Sequence, residues 1–299
     1  MMNTRLLSAA VLAAALVVPA AAAAPAGAAA APKPLTGVAV YMSPSGSISR
    51  YEPGRGFAKT GARPPIGQFS ASPDGRKVAY IGEGGKVQVQ IGRTVKTVAK
   101  GARYLGPCLT PAWSPDSAQV AFVTEGRGED GRVVVVNADG THRRTAGSTR
   151  GVCHLTWSAN GRYLAGYAGT TEGVYRFDLK TGRSIKARGI GLANHVQSLS
   201  PDGMKVVVAP LSRNAPAGDG SWPEYFSPSV VDIVTGKKVP IPVKGSLIGA
   251  FYLRDGRLAV RVAGRTANTL VVLDAGGRQV QRLAEPTAAK RQALLQIVR

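Results

Sequence analysis

The chain is 299 residues long and carries 38 Lys and Arg against 17 Asp and Glu, a formal net charge of +21, with 44% hydrophobic and 18% charged residues. A chain this basic is drawn to anionic surfaces, although its Ala, Gly, Val and Arg bias also fits a GC-rich genome that places arginine at solvated positions. The two cysteines, Cys108 and Cys153, lie far from the N-terminus, which excludes a lipid anchor on a cysteine at a leader cleavage site.

Met1 to Arg5 are followed by an apolar run from Leu6 to Val18 and an alanine-rich stretch broken by Pro19 and Pro25. That layout is a secretory leader, and about 13 apolar residues fall short of the roughly 20 needed to cross a bilayer as a helix. Residues 1–31 are therefore expected to be removed, with cleavage near Ala28 to Ala31. Residues 32–299 are expected to form one domain, secreted or associated with the cell envelope. No later segment is apolar for long enough to span a membrane.

A short signature then recurs: Ala71-Ser72-Pro73-Asp74-Gly75, Trp113-Ser114-Pro115-Asp116-Ser117, Trp157-Ser158-Ala159-Asn160-Gly161, Leu199-Ser200-Pro201-Asp202-Gly203 and Tyr252-Leu253-Arg254-Asp255-Gly256. From Asp74 to Asp116, Asn160, Asp202 and Asp255 the steps are 42, 44, 42 and 53 residues, and a period near 42 is that of one propeller blade. Proline presets φ, Asp or Asn caps the local backbone and glycine accepts positive φ, so the signature reads as a turn between first and second strands. The aromatic before it (Trp113, Trp157 or Tyr252) is expected to pack between blades. Downstream come a β-branched run, a loop, a second apolar run and a Gly turn, as in Val120 to Val123, Val133 to Val136 and Asn137 to Gly140. These describe four-stranded antiparallel units.

Five signatures give five blades. The hairpin pattern from Val38 to Met42 and Ile48 to Tyr51, together with the apolar segment Ala293 to Val298, supplies a sixth, shared between the chain ends so that strand pairing closes the ring. The expected fold is an all-β, six-bladed β-propeller, with five blades if the C-terminal segment is not a strand. Ser72-Pro73-Asp74-Gly75-Arg76-Lys77-Val78-Ala79-Tyr80 resembles the WD-type repeats of TolB-like propellers, over nearly the whole chain past the leader. The resemblance implies a platform for protein contacts in the cell envelope. No N-terminal α/β domain of the TolB kind is recognisable, so the resemblance does not extend to a role in the Tol import system.

Loops between second and third strands and those linking blades must share one face, and the unusual residues collect there. Cys108 lies five residues before Trp113 and Cys153 four before Trp157, equivalent places in adjacent blades. In an exported chain with two cysteines this predicts a Cys108 to Cys153 disulfide, with two buried thiols or a metal pair as alternatives. His195 sits where Cys153 does in its blade and His154 is beside Cys153, but no Cys-x-x-Cys or His-x-His spacing supports a metal. The long fourth repeat carries Trp222, Tyr225 and Phe226 in a Pro- and Gly-rich insertion, suited either to anchoring a partner or to packing on the rim. His142 follows a Gly turn on the opposite face.

No Gly-x-Ser-x-Gly elbow, phosphate-cradling loop or dinucleotide fingerprint is present. Glu83, Glu125, Glu129, Asp130, Glu172 and Glu224 fall on loops with His154 and His195, the only basis for a hydrolase or lyase reading. Nucleic acid is disfavoured by export and by the lack of basic clusters interleaved with aromatics. The sequence thus points to a monomeric, non-catalytic propeller without cofactor or metal, binding an unknown protein partner through Trp222, Tyr225, Phe226, His195 and His154. Adhesion to an anionic wall polymer or membrane surface comes second, and an enzyme third.

Overall fold

The computed structural model describes residues 33–62, 64, 68–104, 109–127, 130–170, 172–215 and 225–298. The chain divides into Met1–Lys33 and Pro34–Arg299, and the fold below belongs to the second unit. It comprises six four-stranded antiparallel sheets, one per blade of a propeller.

Blade 2 is built from β4 (Phe69–Ala71), β5 (Lys77–Gly82), β6 (Lys86–Ile91) and β7 (Thr94–Ala99), and blade 3 from β8 (Ala112–Trp113), β9 (Gln119–Glu125), β10 (Gly131–Asn137) and β11 (Arg144–Thr149). Blade 4 holds β12 (Cys153–Trp157), β13 (Tyr163–Tyr167), β14 (Val174–Asp178) and β15 (Arg183–Lys186). Blade 5 holds β16 (Ala193–Leu199), β17 (Lys205–Pro210), β18 (Ser229–Asp232) and β19 (Lys238–Val239). Blade 6 holds β20 (Leu247–Tyr252), β21 (Leu258–Val262), β22 (Thr269–Leu273) and β23 (Gln279–Ala284).

Blade 1 is the composite one. Its inner strand is β24 (Ala293–Ile297), paired antiparallel with β1 (Ala39–Met42), which continues through β2 (Ile48–Glu52) to β3 (Gly56–Lys59). Tyr41 faces Leu294 and Met42 faces Ala293, with a bulge between Val40 and Tyr41. The C-terminal segment is therefore a strand, which fixes the count at six, and the two chain ends share a blade as the sequence implies. Joining them covers the strand edges that an open ring would leave.

Each blade packs on both faces against its neighbours, so its middle strands read as unbroken apolar runs instead of alternating. In β10, Val133, Val134, Val135 and Val136 are all buried, and a fully buried Val is worth roughly 1.5–3 kcal/mol relative to exposure. Outer strands have a neighbour on one edge only and are mostly polar and exposed, as in β7 and β23. No helix among the described residues is long and apolar enough to cross a membrane.

Candidate functional site

The signature turns place one end of the inner strand in blades 2 to 6, and in four of them the geometry is repeated. The serine hydroxyl donates to the side-chain oxygen two residues on, Ser114 to Asp116 Oδ1 at 2.5 Å and Ser200 to Asp202 Oδ1 at 2.5 Å, with Ser158 to Asn160 Oδ1 at 2.7 Å and Ser72 to Asp74 alike. The same hydroxyl accepts the backbone N–H five residues on, from Lys77, Gln119, Tyr163 and Lys205. Ser114 is the largest influence holding the Asp116 carboxyl below its usual range. Partial burial pushes Asp74 and Asp202 up, and is outweighed by the Ser72 or Ser200 hydroxyl and the N–H of Arg76 or Met204. These acids are held ionised to fix turns.

The last signature residue takes positive φ: Gly75, Gly161, Gly203 and Gly256 do so, and so does Ser117 at 60°. Ser117 uses its side chain to tie blades together, accepting the N–H of Asp74 from blade 2 at 3.1 Å. Trp113 bridges the same seam, its Nε1 donating to the Ser70 carbonyl at 3.1 Å. At Trp113 the expected packing between blades is thus present, and the position also has a second use. Trp113, Trp157 and Tyr252 all contribute to the wall of a central cavity of about 300 Å³.

That cavity is the propeller channel, lined from all six inner strands, by Gln296, Ser70, Trp113, Thr156, Gln197 and Tyr252 among others. Its mouth opens among the signature turns, at Asp74, Asp116 and Arg254. Asp116 belongs to blade 3 and Arg254 to blade 6, on opposite sides of a six-membered ring, and the Arg254 charge helps to hold Asp116 ionised. Arg254 is exposed and makes no ion pair with a described residue. A second depression of about 660 Å³ runs between blades 5 and 6 on the same face and shares Tyr252 and Arg254 with the channel. Burial and the Asp202 charge push the Tyr252 hydroxyl up to about 12, so it remains a neutral donor.

The residues singled out on the other face come together at the opposite ends of the inner strands. His154 stacks on Tyr167 with ring centroids 5.4 Å apart and meets His195 edge-on at 4.9 Å; His195 in turn meets Phe226 edge-on at 5.1 Å. His154 and His195 are 1% and 0% exposed, so neither presents an imidazole to solvent. His195 Nε2 donates to Gln197 Oε1 at 2.7 Å, and burial, with the neighbouring His154, lowers its pKa to about 3.

Tyr225 donates its hydroxyl to the Lys290 carbonyl, and its ring lies 5.5 Å from the Arg261 guanidinium. The described end of the long insertion thus packs on the rim, while Trp222 lies outside the described residues. Cys153 is buried and is not a free thiol; Cys108 lies outside the described residues, as do Glu129 and Glu224. Glu125 pairs with Arg103 at 3.3 Å and Asp130 with Arg150 at 3.5 Å. His142 is exposed in the turn after β10, its Nδ1 2.9 Å from Asn137 Nδ2. No group of three or more His, Cys, Asp or Glu that could hold a metal occurs among the described residues.

The sequence reading missed two elements. One is a buried ion pair, Arg261 with Glu285, each side chain 1% exposed; its partners are 24 residues apart and no local motif marks them. The other is Arg254, whose signal is a departure from the repeat, since arginine stands where three of the other signatures have proline.

No protein-family model and no curated protein sequence matches this chain. Among solved structures it is similar to TolB from Acinetobacter baumannii, with a TM-score of 0.54 at 16% identity over 87% of this chain and 66% of that one. The fold is that of a TolB-like propeller. A TolB-type structure from Agrobacterium tumefaciens aligns with a TM-score of 0.50 at 13% identity, over 88% of this propeller and 98% of that chain. A chain of the nidogen/laminin complex aligns with 0.53 at 12% identity, over 87% and 97%. This propeller thus spans just under two thirds of the Acinetobacter TolB chain.

Proposed function

We propose that this chain is an exported, non-catalytic propeller that binds a protein partner, and that the partner inserts an extended segment into the channel mouth on the face of the signature turns. The observation that carries the reading is the mouth itself. A cavity of about 300 Å³, walled by aliphatic and aromatic side chains interspersed with hydroxyl and amide groups, opens between Asp116 and Arg254 of opposite blades. The groove between blades 5 and 6 continues from it through Tyr252 and Arg254, which gives an inserted segment a path outward. The mouth carboxylates of blades 2 and 3 are engaged in their own turns, so Arg254 is the charge free to pair with a partner carboxylate. The TolB-like fold and the nidogen/laminin likeness agree with a protein-interaction module.

Export rests on the leader-like residues 1–31 and on the disulfide we infer between Cys108 and Cys153, the two cysteines of the chain. The test places a photo-crosslinking residue at Thr156 inside the channel and, as a control, at Thr97 on an outer strand. Both proteins are exposed to envelope extract with and without Arg254→Glu. A discrete adduct formed from Thr156, absent from Thr97 and lost in Arg254→Glu, is expected. Equal labelling from both positions would overturn the channel reading.

A further inference from the structure

The outermost strands of the six blades, β3, β7, β11, β15, β19 and β23, contain no Asp or Glu. They carry Lys59, Lys96, Arg144, Arg183, Lys186, Lys238 and Arg282, at least one cation per blade, and all seven are exposed. None forms an ion pair with a described residue. Acids do occur one strand further in, at Glu52 of β2, Asp178 of β14 and Asp232 of β18. There they are engaged locally: Glu52 pairs with Arg55, Asp178 with Arg162, and Asp232 accepts from the turn that follows it. The outermost strands therefore carry charge of one sign only, although Lys86 of β6 and Arg132 of β10 are basic one strand further in and Asp139, in the turn before β11, is within electrostatic reach of Lys96.

Charges on an edge strand protect it from pairing with another sheet, but either sign would do that. A single sign on the outer strand of every blade does something more, since it adds to a positive potential along the rim. We infer that the rim is a binding surface for a linear polyanion, a flexible polymer of phosphate or phosphodiester units that follows the edge strands from blade to blade. A flat anionic membrane can touch one sector of such a ring. A flexible chain can follow several blades and meet more of the cations at once. This surface is separate from the channel mouth and does not depend on the partner proposed there.

The test uses inorganic polyphosphate as the probe and two variants of the full chain with the same net charge. In the rim variant Lys96→Glu, Arg144→Glu, Arg183→Glu and Lys186→Glu fall on blades 2 to 4. In the control Arg76→Glu, Arg127→Glu, Arg213→Glu and Arg291→Glu fall on exposed residues off the outer strands. Affinity is read across a salt series, because binding through counterion release falls with salt in proportion to the charges engaged.

The expected result is at least a tenfold loss and a shallower salt slope for the rim variant, with less than a threefold loss for the control. A milder set, the same four rim positions changed to Gln, keeps the question open to measurement if charge reversal impairs folding, and should lose part of the affinity. Equal losses in rim and control sets would mean that net charge alone is responsible and would overturn the inference. Binding to anionic lipid vesicles without binding to polyphosphate would overturn it as well.

Discussion

Removing the Glu285 carboxylate by Glu285→Gln should expose how the ring is held near its closing blade. Arg261 is fully buried and donates to Glu285 twice, from Nε to Oε1 at 2.8 Å and from Nη2 to Oε2 at 2.7 Å; a third bond runs from Nη2 to the Ala289 carbonyl at 3.3 Å. Asn268 donates to the Lys290 carbonyl at 3.0 Å beside them. Glu285 thereby ties β21 of blade 6 to the segment that leads through the short turn Thr287–Ala289 into β24, the strand that completes blade 1. The substitution leaves a guanidinium in the interior without its counter-charge, a change that costs about 3–5 kcal/mol, whereas replacing both partners with apolar residues of similar volume is near neutral. Urea unfolding of Glu285→Gln and of the double variant Arg261→Met/Glu285→Leu measures both. Amide exchange in β24 should quicken in the single variant and recover in the double. A loss below about 1 kcal/mol in the single variant would refute the reasoning, because a paired charge that is easily left alone is not desolvated.

Gly203 and Gly256 occupy the same turn position at φ of 71° and 86°, yet a Cβ at Gly203 would lie 2.3 Å from the Tyr163 ring while one at Gly256 finds its nearest neighbour at 4.0 Å. Gly203→Ala should therefore cost about 2–4 kcal/mol through overpacking plus left-handed strain, and Gly256→Ala about 1–2 through strain alone; thermal melts compare them. Stability against pH should fall in two limbs. His195 is held neutral at a depressed value while the unfolded chain takes up a proton below about 6.5, so stability declines as pH drops from there toward about 3. Asp74, Asp116 and Asp202, depressed in the folded state, contribute stability that is intact above about pH 4 and lost below it. His195→Gln should flatten the upper limb and leave the lower one; urea midpoints at successive pH values check this, and an unchanged upper limb would refute it. If Cys108 and Cys153 are joined as proposed, the chain without residues 1–31 should take up no thiol-alkylating label by mass spectrometry before reduction, and two after it; cutting a closed loop of this length should lower stability by about 4 kcal/mol in the chain-entropy account.

The architecture was readable from the sequence because the signature turn is local. Serine, proline, Asp or Asn and glycine within four residues make the same turn wherever they recur, and a spacing near 42 residues leaves room for one blade each time. The shared closing blade was also readable, since Val38 to Met42 and Ala293 to Val298 were apolar strands left over after five blades. The channel mouth was not, because Arg254 and Asp116 are 138 positions apart and face one another only once blades 3 and 6 stand on opposite sides of a ring.

The same holds for the far face. Sequence placed His154, His195, Tyr225 and Phe226 near one another, but only the packing decided that the histidines are covered and that Phe226 closes against His195 instead of projecting outward. The Arg261 and Glu285 pair lies at the extreme of this division, since nothing in either neighbourhood marks a charge as buried. What the sequence determined by itself was the set of turns, the strands between them and their number, all of which depend on conformational preferences within a few residues. Burial and the meeting of charges depend on the distance between blades, and only closure of the ring sets that distance.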